Sequence, residues 1–533
     1  MGRPEDEYVK LPAIIHATRI GYRYHSIKGD VSGIDYDVDT NIFFEPFREA
    51  LERINSRPVD ADKAHYLVSQ LKLKLSGNDL GRAFFACLQS SLEGYRLIDF
   101  ENPANNDFTV VTELPYANGE DSFRPDITFL VNGMPLGFME VKRENNKDGI
   151  LAEHDRMHAR FKNEAYRRFA NIVQVMAFSN NQEYDDEERK PVQGSFYAAS
   201  AYGRLMLNHF REEDLEEMAH LVVDRDSATE KLVLRDNNMA SIYGTAEFES
   251  SINPAAPANR IITSVFSPTR FLFLLHYGIA YVEKVNDEGI KRTEKHVMRY
   301  PQLFATMAVG RVLAAGGGHT KGVIWHTQGS GKTALSFFLT RYLRDYYQAK
   351  KRVARFFFIV DRLDLADQAK GEFEARGAVV ALANSKEEFA RSLKGIGDDT
   401  NVVSAERVPF ITVVNIQKFD EGAVATDFDY DLDVQRIYFI DEAHRDYKRG
   451  GAFLTNLVTS DREAVRIALT GTPLVNTKDG RNDTKQVFGP YIHKYFYNQS
   501  IADGYTLKLL REPVKTEFRL KMQEVLRDLK EVK

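Results

Sequence analysis

Residues 322–333 read GVIWHTQGSGKT, which joins an apolar strand pattern to a glycine-rich loop and then to the start of a helix. A phosphate-binding loop requires this order, because its glycines let backbone amides approach the phosphates. We predict that Lys332 contacts the β- and γ-phosphates and that the Thr333 hydroxyl binds Mg²⁺. The predicted nucleotide-binding residues of the loop are Gly329, Ser330, Gly331, Lys332 and Thr333. His326 departs from the general motif, which has glycine there, and a chance GSGKT loop without a nucleotide role is the alternative.

Strand and helix patterns alternate on both sides of this loop. The apolar strand patterns are GVIW (322–325), FFFIVD (356–361), ITVVN (411–415), RIYFID (436–441) and RIALT (466–470). Continuous apolar strands separated by helices indicate a parallel sheet that is covered on both faces. We therefore predict an α/β lobe whose ligand lies at the carboxyl ends of the strands.

Two further strand ends carry polar residues. Asp441 and Glu442 follow the strand pattern IYFI. Asp441 can hold Mg²⁺, and Glu442 can polarise the water that attacks the γ-phosphate. Taken alone, the pair is as well explained as a solvated helix start with Asp as its cap. In LTGTP (469–473), Thr470 and Thr472 can relay the state of the γ-phosphate, and an ordinary turn is the alternative.

A second group of charged residues lies in RPDITFLVNGMPLGFMEVKR (124–143). The Asn-Gly pair between two apolar runs predicts a β-hairpin, which brings Asp126 beside the returning strand. Period-two alternation puts Glu140 and Lys142 on one face. The two carboxylates can bind Mg²⁺, and the lysine can orient or help deprotonate water for phosphodiester hydrolysis. An exposed charge pair on a hairpin is the alternative.

Three weaker candidates accompany this group. Glu7 is a candidate metal ligand on a helix, and Gln174 is a candidate site residue, although each is as readily a surface side chain. The segment His154–Phe169 interleaves basic and aromatic residues, so it predicts either a helix that faces phosphates or a solvated amphipathic helix.

Composition limits the class of protein. A length of 533 residues predicts several domains, and the net charge of -6 neither favours nor excludes DNA as a partner. The single cysteine, Cys87, rules out an intramolecular disulfide and fits a reduced cytoplasm. No membrane span is expected, because the longest apolar run, Phe271–Val282, is too short, and we predict a buried helix there.

The ATPase motifs resemble those of a known family of DNA motors. GSGKT, IVDRLDLADQ (359–368), TVVNIQKF (412–419), DEAH and LTGTP are similar in order and spacing to motifs I, Ia, Ib, II and III of superfamily 2 helicases, whose lobes are RecA-like. In that family the Ia and Ib loops contact the DNA backbone. Gln302 in RYPQ resembles the glutamine that reads adenine, and a helix-surface glutamine is the alternative.

The charged hairpin resembles the PD-(D/E)xK nuclease superfamily, with Pro125-Asp126 followed by Glu140-Val-Lys142. A nuclease of this kind followed by a DEAH motor, with NGMPLGFMEVKR, HTQGSGKT, DEAHR and IADGYTLKLLRE in order, resembles the motor/restriction subunit of type I restriction-modification enzymes. The resemblance implies ATP and Mg²⁺ as cofactors, double-stranded DNA as substrate, and methyltransferase and specificity subunits as partners. It also implies translocation and cleavage away from the recognised sequence, in the cytoplasm.

We predict three parts from these motifs and from the proline-containing stretch SINPAAPANR (251–260). Residues 1–255 form a PD-(D/E)xK nuclease domain, 256–475 a first RecA-like lobe, and 476–533 a linker and the start of a second lobe. Sixty residues follow Pro473, whereas a second lobe needs about 150. We therefore expect an N-terminal fragment that binds ATP weakly if at all, turns it over poorly and does not translocate when it is alone.

Two other functions fit the same motifs. One is a DNA remodelling or repair translocase whose N-terminal domain binds DNA without cutting it. The other is a structural subunit in which ATP orders an assembly surface without turnover. Loss of cleavage on changing Asp126, Glu140 or Lys142 separates the nuclease from the first alternative, and Glu442→Gln separates it from the second.

Overall fold

A computed structural model describes most of the chain. The described residues are 5–28, 36–118, 121–143, 149–184, 194–202, 205–285, 289–316, 320–385, 388–389, 392–393, 410–415, 433–443, 461–473, 484–506, 521–522, 525 and 527. The end of the predicted motif Ib, His444, and most of the residues after Thr506 lie outside them. Within the described part, no helix is both long enough and apolar enough to cross a membrane.

The N-terminal half is built on a mixed seven-stranded sheet with strand order β1-β2-β5-β6-β7-β8-β9. Its strands, with the separate ribbon β3–β4, are β1 (Arg23–Tyr24), β2 (Phe108–Thr112), β3 (Tyr116–Asn118), β4 (Asp121–Phe123), β5 (Ile127–Val131), β6 (Met134–Val141), β7 (Val175–Ser179), β8 (Ser195–Ala198) and β9 (Asn208–His209). The central strands β5, β6 and β7 are buried along their whole length, since helices and loops cover both faces.

Helices surround this sheet. They are α1 (Leu11–Arg19), α2 (Phe44–Asn55), α3 (Ala61–Lys74), α4 (Arg82–Gln89), α5 (Gly149–Lys162), α6 (Arg167–Ile172), α7 (Leu215–Leu221), α8 (Ser227–Asp236) and α9 (Ala246–Ser251), with a π-helical turn at Asp6–Lys10 and 3₁₀ turns at Pro103–Asn105, Glu164–Tyr166 and Ala240–Ile242. Apolar residues such as Leu67, Leu71, Phe84 and Leu88 recur at helical spacing and lie in the core, so burial of one face holds each helix on the sheet.

The hairpin predicted from the Asn-Gly pair is confirmed. Strands β5 and β6 pair in antiparallel fashion, with Ile127 opposite Met139 and Val131 opposite Met134. Asn132 and Gly133 both have positive φ, as a two-residue hairpin turn requires. A β-carbon on Gly133 would lie 2.6 Å from the carbonyl oxygen of Phe43, so the position accepts glycine alone.

A connecting region follows the predicted junction. It contains α10 (Pro257–Ile261), a π-helical segment (Ile262–Phe266), α11 (Pro268–Phe273), a second π-helical segment (Leu274–Gly278), and the antiparallel ribbon of β10 (Ile279–Val285) and β11 (Lys291–Val297). The ring of Phe266 stacks on Phe129 of β5 at 4.1 Å, and the Tyr22 hydroxyl donates to the Phe266 carbonyl. The first residues after position 255 therefore pack on the N-terminal sheet.

The prediction of one buried helix at Phe271–Val282 is wrong in its second half. Helical structure ends at Gly278, and Ile279–Val285 forms strand β10. The run is buried, as expected, but a short apolar run has no periodicity that separates helix from strand. Pairing with β11, whose sequence KRTEKHV is mostly polar, decides the outcome.

The C-terminal half is built on a seven-stranded sheet with strand order β14-β15-β13-β16-β17-β12-β18. Every pair in it is parallel. The strands are β12 (Lys321–His326), β13 (Val353–Val360), β14 (Val379–Ala383), β15 (Phe410–Asn415), β16 (Val434–Ile440), β17 (Val465–Thr470) and β18 (Tyr491–Tyr495), and the helices are α12 (Tyr300–Ala314), α13 (Lys332–Gln348), α14 (Leu363–Ala375), α15 (Thr484–Phe488) and α16 (Tyr497–Ala502). The predicted parallel α/β lobe is confirmed.

One strand of this sheet lies where a linker was predicted. Strand β18 pairs with β12 along the edge of the sheet, although it falls within 476–533. Its backbone completes the hydrogen bonds of β12, beyond residue 475, where the lobe was predicted to end. Strand β14 was not among the predicted strands.

Candidate active sites

Hairpin register brings the two nuclease carboxylates together. Asp126 immediately precedes β5, so it lies across from Glu140 near the end of β6. One oxygen of Asp126, Oδ2, accepts a hydrogen bond of 2.9 Å from the backbone N–H of Val141. Glu140 and Lys142 are 6% and 8% exposed, which shows that this is a buried site and not an exposed charge pair.

Four carboxylates surround the ammonium group of Lys142. Its Nζ lies 3.9 Å from Oδ2 of Asp126 and 3.7 Å from Oε2 of Glu140. Glu153 on α5 is 3.6 Å away and Glu5 is 3.8 Å away. The Nζ also donates a hydrogen bond to the Val141 carbonyl at 2.8 Å. The three predicted residues thus converge, and two further carboxylates that the sequence analysis missed join them.

Electrostatics assign different states to the two central groups. Burial, together with Asp126 and Glu153, raises the pKa of Glu140 well above its ordinary value. Burial alone would lower the pKa of Lys142, but attraction by Asp126, Glu140, Glu153 and Glu5 outweighs it and raises the pKa. Lys142 is therefore a charged group that orients or stabilises an anion, and it is not a base at neutral pH.

The donor set fits a hard divalent cation. Asp126 and Glu140 supply adjacent carboxylate oxygens, and a hydrogen bond between them favours the protonated form of Glu140 when no cation is present. Over the described ranges, no three His, Cys, Asp or Glu side chains are grouped closely enough to enclose a metal. Water and substrate phosphate oxygens would have to complete the coordination of Mg²⁺, as is usual for that ion.

Glu7 lies in the π-helical turn Asp6–Lys10, and Gln174 directly precedes β7. Glu5, two residues before Glu7, is the N-terminal carboxylate that reaches Lys142. Gln174 is fully buried, and its side-chain amide donates to the carbonyls of Asn171 and Ile172. Its neighbour Val175 pairs with Gly137 in the middle of β6, three residues before Glu140, so Gln174 supports the backbone there and is not a surface side chain.

The basic segment is not one continuous helix. Helix α5 ends at Lys162, and α6 begins at Arg167 after a 3₁₀ turn. The three aromatic side chains are buried, because they pack into the core instead of facing phosphates; they are Phe161, Tyr166 and Phe169. On α5, Arg156 and Arg160 both pair with Glu153, at 2.9 and 3.2 Å. The arginines of α5 are thus linked to Lys142 through one carboxylate.

The second cluster lies at the carboxyl ends of the parallel strands. Gly329 and Gly331 have φ of +80° and +83°, which favours glycine. A β-carbon on Gly331 would lie 2.8 Å from Nε2 of Gln302, which donates to the Gly331 carbonyl at 3.1 Å. Ser330 is buried in this loop, and Thr333 lies in the first turn of α13. Gln302 is 5% exposed, so it is not a helix-surface glutamine.

The acidic pair of the ATPase motif lies beside this loop. Lys332 Nζ is 3.8 Å from Oε1 of Glu442. Burial raises the pKa of Asp441 to about 6, with Lys332 opposing the shift and Glu442 and Asp361 adding to it. Buried oxygens of Asp441 and Asp361 have no hydrogen-bond partner among the described residues. These oxygens fit a hydrated Mg²⁺, and Asp361, which directly follows β13, was not predicted as a site residue.

The LTGTP loop contacts both neighbouring motifs. The Ala443 N–H donates to the Leu469 carbonyl at 3.2 Å, and the Trp325 indole donates to the Gly471 carbonyl at 3.2 Å. Thr470 is buried, and its hydroxyl accepts a hydrogen bond from the N–H of Thr472. The structure therefore gathers the predicted ATPase residues at one edge of the sheet.

Comparisons with known proteins match both halves. Residues 3–185 match the family described as type I restriction enzyme R protein N terminus, and residues 301–533 match the SWI2/SNF2 ATPase family. The chain carries an R-protein N-terminal domain and a SWI2/SNF2 ATPase domain. These two matches confirm the resemblance that the motifs indicated, for the N-terminal domain and for the ATPase domain.

Relatives with these domains are longer than this chain. The type I restriction enzyme HindI endonuclease subunit of Haemophilus influenzae is 24% identical over 530 residues, which cover 93% of this chain and 44% of that protein. The SauCOLORF180P endonuclease subunit of Staphylococcus aureus is 25% identical over 423 residues, covering 77% and 37%. The chain therefore spans less than half the length of these relatives. The DNA-bound type ISP enzyme LlaBIII has a TM-score of 0.29 at 14% identity, over 41% of this chain and 16% of that one.

A cleft of about 800 Å³ lies beside the phosphate-binding loop of the SWI2/SNF2 ATPase domain. Gly331 and Gln302 line one side, and Asn208 of β9 and Lys295 of β11 line the other. Clefts of this size commonly hold small ligands. The cleft can therefore accommodate the rest of a nucleotide whose phosphates lie on the loop.

Proposed function

We propose that this chain supplies the nuclease and the first ATPase lobe of an ATP-dependent, DNA-translocating endonuclease subunit of a type I restriction system. The subunit would act in the cytoplasm, assembled with methyltransferase and specificity subunits that recognise double-stranded DNA. The observation that carries this proposal is the convergence of Asp126, Glu140 and Lys142 in an R-protein N-terminal domain. The ATPase cluster in the same chain supplies the second activity.

In the nuclease site, Asp126 and Glu140 would hold Mg²⁺, which activates water and neutralises charge on the scissile phosphate. The charged ammonium group of Lys142 is in a position to orient the attacking water and to attract a phosphate oxygen. The hydrogen bond from Val141 keeps Asp126 facing this centre. Cleavage then requires Glu140 in its ionised form, which the cation favours.

In the ATPase site, amides of the Gly329–Gly331 loop and Lys332 would bind the triphosphate, while Thr333 and Asp441 hold its Mg²⁺. Glu442 would orient the attacking water. Gln302 supports the loop at Gly331 and borders the cleft, which favours a contact with the base. Thr470 and Thr472 would pass the state of the γ-phosphate to the DNA track.

We further propose that the nuclease domain spans residues 1–255 and that the first lobe starts at 256. This lobe includes the edge strand β18.

Lys142→Ala in the full-length subunit, assembled with its partner subunits, tests the proposal. Cleavage of a plasmid that carries the recognised sequence should fall by about 100-fold or more, while DNA-stimulated ATP turnover stays within about twofold. Lys74→Ala, which removes an exposed lysine at the end of α3, is the matched control and should cut normally. Persistent cleavage by the Lys142→Ala subunit would favour a translocase without nuclease activity.

Glu442→Gln separates an active motor from a structural subunit. The amide cannot polarise water, so turnover should stop while ATP still binds. Assembly and cleavage that survive this change would instead indicate that ATP orders a surface without being hydrolysed.

A further inference from the structure

Two histidines and a glutamate form a hydrogen-bonded relay behind the phosphate-binding loop. Nε2 of His326 lies 2.7 Å from Nδ1 of His493, whose Nε2 lies 2.7 Å from Oε2 of Glu213. His326 ends β12, and His493 lies on the adjacent strand β18. Glu213 comes from the segment that follows β9 of the N-terminal sheet. The relay thus joins the N-terminal half to the start of the loop.

The carboxylate sets the direction of these hydrogen bonds. A carboxylate oxygen of Glu213 can only accept, so Nε2 of His493 donates to it. In the tautomer of His493 that donates from Nε2, Nδ1 carries the lone pair and accepts from Nε2 of His326. Burial, with Lys332 adding to it, lowers the pKa of His326 well below its ordinary value, which keeps its ring neutral. Glu213 therefore determines which nitrogen of His326 carries the proton.

His326 directly precedes the phosphate-binding loop, so its position affects where the loop amides lie. The N–H of the next residue, Thr327, donates to the Tyr495 carbonyl of β18 at 3.0 Å. Gly471 packs so closely that a β-carbon on it would lie 3.1 Å from the backbone nitrogen of Gln328. The loop is held between β18 and the LTGTP segment, so a shift of the buried His326 ring would move the amides that face the phosphates.

Residues 211–214, which we name the REED segment, meet the ATPase half at three points. Arg211 pairs with Asp503 at 3.3 Å, and Asp214 pairs with Arg311 at 2.9 Å. Glu213 makes the third contact, which continues through the relay to the loop. The contact of Asp214 also joins the two halves through a carboxylate. It ends on α12 and does not continue to the loop.

We propose that Glu213, His493 and His326 are positioning residues through which the REED segment controls the affinity of the phosphate-binding loop for ATP. This inference rests on the proposed ATP hydrolysis and adds a means of regulating it from the N-terminal half. The loop amides hold the phosphates in the ground state and in the transition state alike. Loss of the relay should therefore raise the KM for ATP and leave kcat nearly unchanged.

The test is steady-state ATP hydrolysis by the full-length subunit, assembled with its partners on DNA. Glu213→Ala and His493→Leu should each raise the KM about three- to tenfold, as expected for the loss of a buried hydrogen bond. The double variant should be no worse than the more severe single one, because both changes break one relay. His493→Gln can donate to Glu213 and accept from His326, so it should restore the KM to within about twofold.

Asp214→Ala is the matched control and should leave the KM within about twofold of the unmodified subunit. A rise equal to that of Glu213→Ala would overturn the relay in favour of general loosening of the interface. An unchanged KM in Glu213→Ala would also overturn it. An unmodified subunit that neither binds nor hydrolyses ATP would refute the proposed function itself.

Discussion

The nuclease cluster and the ATPase cluster hold their lysines in different surroundings. Lys142 has four carboxylates within 4 Å, supplied by a single hairpin, helix α5 and the N-terminal Glu5. Lys332 has Glu442 at 3.8 Å, and its site is assembled from the ends of parallel strands that are far apart in sequence. The first site contains many negatively charged groups close together. In the second site, the backbone amides of a glycine-rich loop lie next to an acidic pair.

This difference indicates where each site obtains its counter-charge. In the nuclease cluster, Arg156 and Arg160 pair with Glu153, while burial and the neighbouring Asp126 hold Glu140 towards its protonated form until a cation arrives. In the ATPase cluster, the triphosphate itself supplies the charge that Lys332 and the amides require. We therefore expect Mg²⁺ alone to affect the first site, and the Mg²⁺ complex of ATP to affect the second.

Lys332→Ala should give the largest effect of these changes. If it affected ATP turnover and DNA cleavage in the same way as Lys142→Ala, the proposed difference between the two lysines would be wrong. Without the charge on the phosphates, ATP turnover in the full-length subunit should fall about 100- to 1,000-fold. Cleavage of DNA should fall with it if translocation feeds the nuclease, whereas Lys142→Ala should stop cleavage alone. Measurement of phosphate release and of linearised plasmid in the same reaction separates the two.

The matched control for this change is Lys350→Ala, which removes an exposed lysine just beyond the end of α13. Its turnover should stay within about twofold of the unmodified subunit. Normal turnover by Lys332→Ala would mean that the loop has no nucleotide role.

Much of both sites follows from local patterns. The Asn-Gly turn predicts the hairpin, and period-two alternation puts Glu140 and Lys142 on one face, but a bulge between Phe129 and Leu130 shifts the register by one residue and brings Asp126 opposite Glu140. The ATPase strands were equally predictable, because their apolar runs end at motifs that need a strand end.

What the sequence did not reveal depends on long-range packing. Glu153 has the appearance of a solvated helix residue, since Arg156 and Arg160 lie at helical spacing from it, yet it is buried against Lys142. Strand β18 pairs with β12 over a sequence separation of 167 residues between His326 and His493. The strand character of β10 likewise depends on a polar partner strand. No local period encodes these contacts.

Glu140→Gln should have a moderate effect on stability. Whether it raises or lowers the melting temperature tests whether the negative charges at this site destabilise the folded protein. The pKa of Glu140 is raised by folding, so stability that is present below the unfolded pKa is lost as the pH rises through the folded pKa. The uncharged amide avoids this loss. The variant should therefore melt about 2–4 °C above the unmodified chain at pH 8, and the gap should shrink towards pH 5.

Calorimetry of the full-length subunit over this pH range, with and without Mg²⁺, checks this expectation. Added Mg²⁺ should stabilise the unmodified protein and not the variant, which closes the gap at pH 8. Glu164→Gln, whose carboxylate is 88% exposed, is the control and should show no comparable pH-dependent gap. A variant that is less stable at pH 8 would show that Glu140 is favoured in its charged form.

Arg156→Ala should give the smallest effect of these changes. It tests whether α5 of the nuclease cluster faces DNA. The side chain is 56% exposed and pairs with Glu153, so part of its charge is already neutralised before DNA binds. If it contacts one phosphate, its loss should weaken DNA binding by up to about eightfold at 0.1 M salt and reduce the salt slope by about 1. Binding titrations of the assembled subunit at several salt concentrations measure both quantities.

Arg124→Ala, which removes a basic residue before β5, is the comparison variant. An unchanged salt slope in Arg156→Ala would assign this arginine to holding Glu153 near Lys142, because a residue that touches no phosphate releases no counterion on binding.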